Sequence, residues 1–153
     1  MLRSELAKHF KDNLFLADMK AGTKADALEE LLDLFVQEKF IRNRHIVLEM
    51  LHQRETLGST GIGKGVAIPH GRTLAAPNLI IAFGCSQRGI DFQAIDNEPV
   101  HLFFMVIAPP HEEGNIYLPV LGALVTILND DHNREKLRHV KSFQEFLPII
   151  LGE

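Results

Sequence analysis

The chain has no tryptophan, one tyrosine (Tyr117) and one cysteine (Cys85) in 153 residues. A lone cysteine excludes an internal disulfide and fits a reducing compartment. Cationic clusters are also missing: 16 Lys and Arg against 20 Asp and Glu leave a formal net charge of -4. Non-specific nucleic-acid binding requires many cations to neutralise phosphates, so it is excluded as a function class. Long apolar runs are absent as well. No stretch reaches the roughly 18 apolar residues that cross a bilayer. Met1 to Phe10 mixes Arg3, Glu5, Lys8 and His9 with isolated apolar residues, so it lacks the apolar region of a signal peptide. These absences predict a cytoplasmic protein without membrane insertion. No internal repeat, linker or low-complexity segment interrupts the chain.

What is present is the mix of a globular domain, 46% hydrophobic and 24% charged. The length accommodates one domain, taken as residues 1–153. Leu14 to Ala17 reads as a first strand. Thr23 and Asp26 resemble a capping box ahead of Leu28, Leu31, Leu32 and Phe35 at helical spacing. Asn43 caps a second helix with Ile46, Val47, Met50 and Leu51 on its apolar stripe. Val66 to Ile68, Leu79 to Phe83 and His101 to Ile107 read as strands, with a turn at Arg88-Gly89. Leu118, Leu121, Val125 and Leu128 then mark a helix that tolerates Pro119 near its first turn. Short helices are expected from Asp130-Asp131 and from Ser142, the latter kinked or ended by Pro148. The order predicts a single α/β domain in which helices flank a mixed central β-sheet.

The informative stretch is Gln53 to Arg72, QRETLGSTGIGKGVAIPHGR. Five glycines lie between Gly58 and Gly71, a spacing that lets backbone N–H groups converge on an anion. Proline forces Ile68 into extended backbone and fixes its own φ, and Gly71 leaves the other side of His70 uncrowded. A histidine mounted this way is presented, not packed. Gly58 to Lys64 also matches seven positions of the P-loop pattern, but the eighth is Gly65 where a magnesium-binding hydroxyl would stand. The segment also leads from a helix to a strand, opposite to a P-loop. ATPase activity is therefore not expected.

The run of Arg54-Glu55, Ser59-Thr60, Gly61-Ile62-Gly63 and Ala67-Ile68-Pro69-His70 resembles the signature of the type-2 EIIA domains of the bacterial phosphoenolpyruvate-dependent phosphotransferase system. This family covers the fructose/mannitol-class IIA domains and the nitrogen-regulatory IIA proteins. The resemblance implies the mannitol/fructose-type IIA fold and a phosphotransferase component working through a phosphohistidine. It implies that His70 accepts a phosphoryl group through Nε2 from an HPr-type phosphocarrier, and that Arg54 helps hold that group. Relatives carry a second histidine at the start of the helix after the last central strand. Here Tyr117 stands in that place, with His111 a few residues earlier. The wording GSTGIG…VAIPHGR is closer to the regulatory branch, which implies a regulatory target protein as partner. The alternatives are a sugar-transport IIA passing phosphate to a IIB cysteine, and a IIA-like interaction module without transfer.

The chemistry suits these residues. Imidazole titrates near pH 6.5, so neutral, nucleophilic ring is available near neutral pH. Transfer between histidines asks mainly for in-line positioning and for positive charge around three equatorial oxygens. Arg54 supplies a bidentate fork, and N–H groups from Ser59 to Gly65 are expected to supply the rest. Ser59 and Thr60 are of the type that bonds locally within turns, and Thr60 is also a candidate phosphate contact. Lys64 reads as solvent-facing and Cys85 as a packed small hydrophobe. His9, His45, His52, His132 and His139 show no zinc-site pattern, and His101 reads as structural. Neither a cofactor nor a metal is expected.

Overall fold

The computed structural model describes residues 1–112 and 114–153. Its elements run α1 (Arg3–Ala7), β1 (Phe10–Leu16), α2 (Lys24–Gln37), α3 (Arg44–Thr56), β2 (Gly61–Gly63), β3 (Val66–Ala67) and β4 (His70–Arg72). They continue through β5 (Ile80–Ile90), β6 (Val100–Ala108), α4 (Tyr117–Leu128), α5 (Asp131–Leu137) and α6 (Phe143–Leu151).

Alternation in β5 and β6 decides the layering. Ile81, Phe83, Cys85, Phe104 and Val106 face one side, where α1, α4, α5 and α6 bury Leu6, Leu124, Leu137 and Phe146. Ala82, Phe103, Met105 and Ile107 face the other, where α2 and α3 bury Leu28, Leu31, Phe35, Val47 and Leu51. Strands buried on both faces in this way read as continuous apolar runs. Phe83, Phe104 and Phe146 meet within ring-centroid distances of 4.6 to 6.3 Å. Each such buried ring contributes roughly 2 kcal/mol of apolar burial.

The sheet is mixed, in the order β1-β5-β6-β3-β2. β5 and β6 form the long antiparallel centre, and β1 lies parallel to β5. β3 and β4 lie end to end along the remaining edge of β6, both parallel to it, separated by Ile68-Pro69. The helix starts follow their caps: Thr23 Oγ1 accepts from Asp26 N at 3.2 Å, and Asn43 Oδ1 from Ile46 N at 3.4 Å. Asp130 and Ser142 do the same for α5 and α6.

Four elements differ from expectation. β1 begins at Phe10, upstream of the apolar run: Phe10 pairs with Ile81, an irregularity follows in which Lys11, Asp12 and Asn13 face solvent, and pairing resumes at Phe15. Arg88-Gly89 is not a turn. It lies within β5 as an irregularity, with Gly89 at φ +84, and pairing resumes at Ile90 opposite Val100. The glycine-rich stretch is not a loop but a hairpin, β2 antiparallel to β3, turned by Lys64 and Gly65 at φ 59 and 78. Finally, α6 continues past Pro148 to Leu151. Phe146 and Ile150 are anchored in the core on either side, and Arg3 donates to the carbonyls of Ile149 and Ile150 at 2.7 and 2.8 Å.

Candidate functional site

The site grows from the interrupted edge strand. Because Pro69 bends the chain between β3 and β4, β4 rejoins β6 with His70 opposite Val106, Gly71 opposite Ile107 and Arg72 opposite Ala108. Side chains alternate along a strand. His70 and Arg72 therefore share the face toward α4, and Gly71 turns toward α3. A Cβ on Gly71 would run into the thioether end of Met50 on α3, so the glycine leaves room for that side chain between helix and strand. That packing brings the C-terminal turn of α3, and Arg54 with it, beside His70.

His70 is half-buried. Its Nδ1 lies 2.7 Å from Ile68 O. A carbonyl only accepts, so Nδ1 carries the hydrogen and Nε2 keeps its lone pair in the neutral ring. Burial lowers the imidazole from its ordinary value; the Ile68 carbonyl opposes this, the nearby Arg54 charge adds to it and Glu55 opposes it. The ring faces an open depression of about 580 Å³ lined by Met50, Arg54, Leu57, Arg72 and Tyr117, among others. Leu57 and Leu118 on its rim are 85% and 69% exposed, an apolar border suited to a protein partner.

Arg54 sits in the last turn of α3, where Nη1 donates to Gly58 O at 2.9 Å. Its other N–H donors have no acceptor among the described residues. Tyr117 is the first residue of α4, its ring centroid 6.1 Å from that of His70. Glu112 Oε1 accepts from the Tyr117 backbone N–H at 2.9 Å, and burial pushes the phenol up to about 12, so the hydroxyl keeps its proton. Arg72 lays its guanidinium over this ring, Cζ at 4.3 Å from the centroid. His111 lies in a different cavity, with Lys8, His9 and Lys11.

Thr60 does not line the depression. It is buried, its N–H donates to Glu55 Oε1 at 3.0 Å, and its hydroxyl bonds to Glu55 Oε2. Lys24 Nζ meets the same carboxylate at 3.0 Å, with the Glu55 side chain only 6% exposed. Other donors of the hairpin are committed too: Gly61 N to Ser59 Oγ, Lys64 N to Asp96 Oδ2 and Ile68 N to Thr60 O. Of the N–H groups expected to converge on an anion, those of Thr60, Gly61 and Lys64 instead hold the hairpin together. Lys64 is exposed, and Cys85 is buried with its thiol pushed up by burial.

The geometry thus unites His70, Arg54 and Tyr117 and leaves Thr60 behind them. Arg72, which the spacing of the signature does not single out, also borders the depression. Its position two residues after His70 on a strand was the available signal. Among the described residues, no group of three or more His, Cys, Asp or Glu is gathered to hold a metal, and no helix is long and apolar enough to cross a membrane.

A half-buried histidine with one nitrogen tethered and the other open, beside arginines, on the edge of a mixed sheet, defines a histidine-presenting α/β domain. Residues 8–152 match the family of the phosphoenolpyruvate-dependent sugar phosphotransferase system, EIIA 2, and the chain belongs to that family. A fructose-specific EIIA component of Haloferax volcanii is 40% identical over 84% of this chain and 83% of its own length. A nitrogen regulatory protein of Bradyrhizobium diazoefficiens is 35% identical over 88% of this chain and 87% of its own. The crystal structure of nitrogen regulatory protein IIA-Ntr from Neisseria meningitidis superposes with a TM-score of 0.87 at 33% identity, covering 95% of this chain and 99% of that one. The mixed-sheet α/β domain and the type-2 IIA resemblance both agree with these findings.

Proposed function

We propose that residues 1–153 act as one cytoplasmic phosphocarrier domain whose His70 Nε2 accepts a phosphoryl group from an HPr-type protein. The observation that carries this is the division of labour on the His70 ring. Nδ1 is held by Ile68 O at 2.7 Å while Nε2 has no partner among the described residues, and His70 lines the depression shared with Arg54. Burial favours the neutral ring, which is the nucleophilic form. Arg54 contacts the transferred group with donors that its Gly58 bond leaves over, and the exposed Leu57 and Leu118 seat the partner. Thr60 acts through Glu55, as part of the frame.

The output is regulatory: the phosphorylation state of His70 controls binding to a target protein. A second reading, transfer onward to a IIB cysteine in sugar uptake, is favoured by the likeness to the fructose-specific component. The test is incubation with phosphoenolpyruvate, enzyme I and an HPr-type carrier. Native protein should gain an acid-labile phosphate that His70→Ala cannot. Equal labelling of both would overturn the assignment. Adding IIB domains then separates the two outputs, since only the transport reading predicts loss of label to a cysteine.

A further inference from the structure

The geometry points to Arg72 as a second phosphoryl-binding residue, seated on the Tyr117 ring so that the group on His70 is held between two guanidinium ions; this rests on the phosphocarrier reading of His70.

The placement follows from the strand. Residues two apart share a face of a strand, roughly 7 Å apart along it. His70 and Arg72 are such a pair, and both border the depression that also contains Arg54. Arg72 is fixed by two contacts, Nη1 donating to Pro110 O at 3.2 Å and Cζ lying 4.3 Å above the Tyr117 ring. A cation over an aromatic face is attracted by the ring quadrupole, so the guanidinium is oriented before any ligand arrives. Arg54 is built the same way from the opposite layer, with one donor tied to the backbone carbonyl of Gly58. Each arginine thus gives one N–H to a backbone oxygen. Its remaining donors have no acceptor among the described residues, and five are available per guanidinium.

The chemistry needs such a pair. The Nε2 lone pair forms a new N–P bond as the donor's N–P bond breaks, and the bonding electrons return to the donor nitrogen. Each ring keeps the proton on its other nitrogen. The phosphoryl group carries its charge on three equatorial oxygens throughout. One fork can engage two of these oxygens, and a second guanidinium reaches the third. The tyrosine contributes as a platform, and its buried position makes that platform rigid.

The experiment compares native protein, Arg72→Ala and Arg72→Lys with two donors, the phosphorylated HPr-type carrier and the small molecule phosphoramidate, which loses ammonia on transfer. Arg72 is exposed, so losing its contacts to Pro110 and Tyr117 should lower the unfolding temperature by at most about a few degrees. Arg72→Ala should lower the maximal labelling rate roughly ten- to hundredfold with both donors, the scale of a lost charge-assisted contact. Half-saturation by the protein donor should change little. Arg72→Lys should fall between, since it keeps the charge and loses the fork. An unchanged rate in Arg72→Ala, a loss confined to the protein donor, or a lysine variant no better than alanine would overturn the role while leaving His70 as acceptor. Native protein that takes label from neither donor would overturn the carrier reading and this inference together.

Discussion

The glycine-rich hairpin and the β4 strand lie only a few residues apart, and both belong to the signature stretch, yet they spend their polar groups in opposite ways. In the hairpin, Thr60, Gly61, Lys64 and Ile68 all donate inward, to Glu55, Ser59, Asp96 and Thr60. On β4 and around it, His70 Nε2 and the spare donors of Arg54 and Arg72 have no partner among the described residues. On the proposed reading the first region is frame and the second is reagent. Glycine content marks the frame, because close backbone approach is what the frame needs: a Cβ on Gly61 would meet Ala94 Cβ at 2.8 Å and Ala94 Cα at 2.9 Å. Chemistry belongs to the residues whose donors and lone pairs are left over.

Breaking the frame should give the largest effect. Glu55→Ala removes the acceptor for the Thr60 N–H and hydroxyl and leaves Lys24 half-enclosed without its partner. Loss of one member of a buried pair destabilises by about 3 kcal/mol, so denaturant titration should show a midpoint well below native. A midpoint within error of native would mean that the Lys24–Glu55–Thr60 cluster does not hold the hairpin.

Cutting into the reagent half should do the reverse. Arg54→Ala should keep native stability and slow phosphoryl transfer by about 2 kcal/mol, the scale of one charge-assisted hydrogen bond. Stopped-flow or quench-flow labelling measures it. A variant that lost stability but not rate would place Arg54 in the frame, through its bond to Gly58, and remove it from the site.

The smallest expected effect is on pH dependence. Burial lowers both His70 and His9 from the ordinary imidazole value. In the unfolded chain these rings take up a proton near pH 6.5, whereas in the folded chain they do so only at lower pH. Across that window the unfolded state holds more protons, so stability rises with pH. The contribution is fully present above about pH 6.5 and is lost as pH falls through the folded values. Melts at several pH values should show this loss, and His9→Gln should flatten part of it. An unchanged slope in that variant would show that His9 titrates alike in both states. By the same shift, His70 should stay nucleophilic somewhat below pH 6.5.

The contrast also explains what could be read from the sequence. The mounting of His70 was legible because its causes are local: Pro69 restricts Ile68, and Gly71 clears the far side. The companionship of Arg54 was legible through the motif, and the sheet cores through the apolar runs of β5 and β6. The inward turn of the hairpin donors was not, since Asp96, which takes the Lys64 N–H, and Lys24, which pairs with Glu55, lie far from the glycines in sequence and no periodicity announces them. The placement of Arg72 beside His70 follows from the strand alternation, but its seat on Tyr117 was not legible in the same way. Its defining contact is with Tyr117, across the whole of β5 and β6. The early start of β1 hides equally well, because Phe10 pairs with Ile81 ahead of an exposed, irregular stretch at Lys11 to Asn13 that leaves no apolar pattern.

The most direct test of the central claim is the chemical identity of the phosphorylated atom. Nitrogen-15 and phosphorus-31 NMR of protein labelled at histidine, after treatment with the complete donor chain, should show phosphorus on Nε2 of His70 and a retained hydrogen on Nδ1, facing Ile68. Phosphorus on Nδ1, or on a histidine other than His70, would contradict the account.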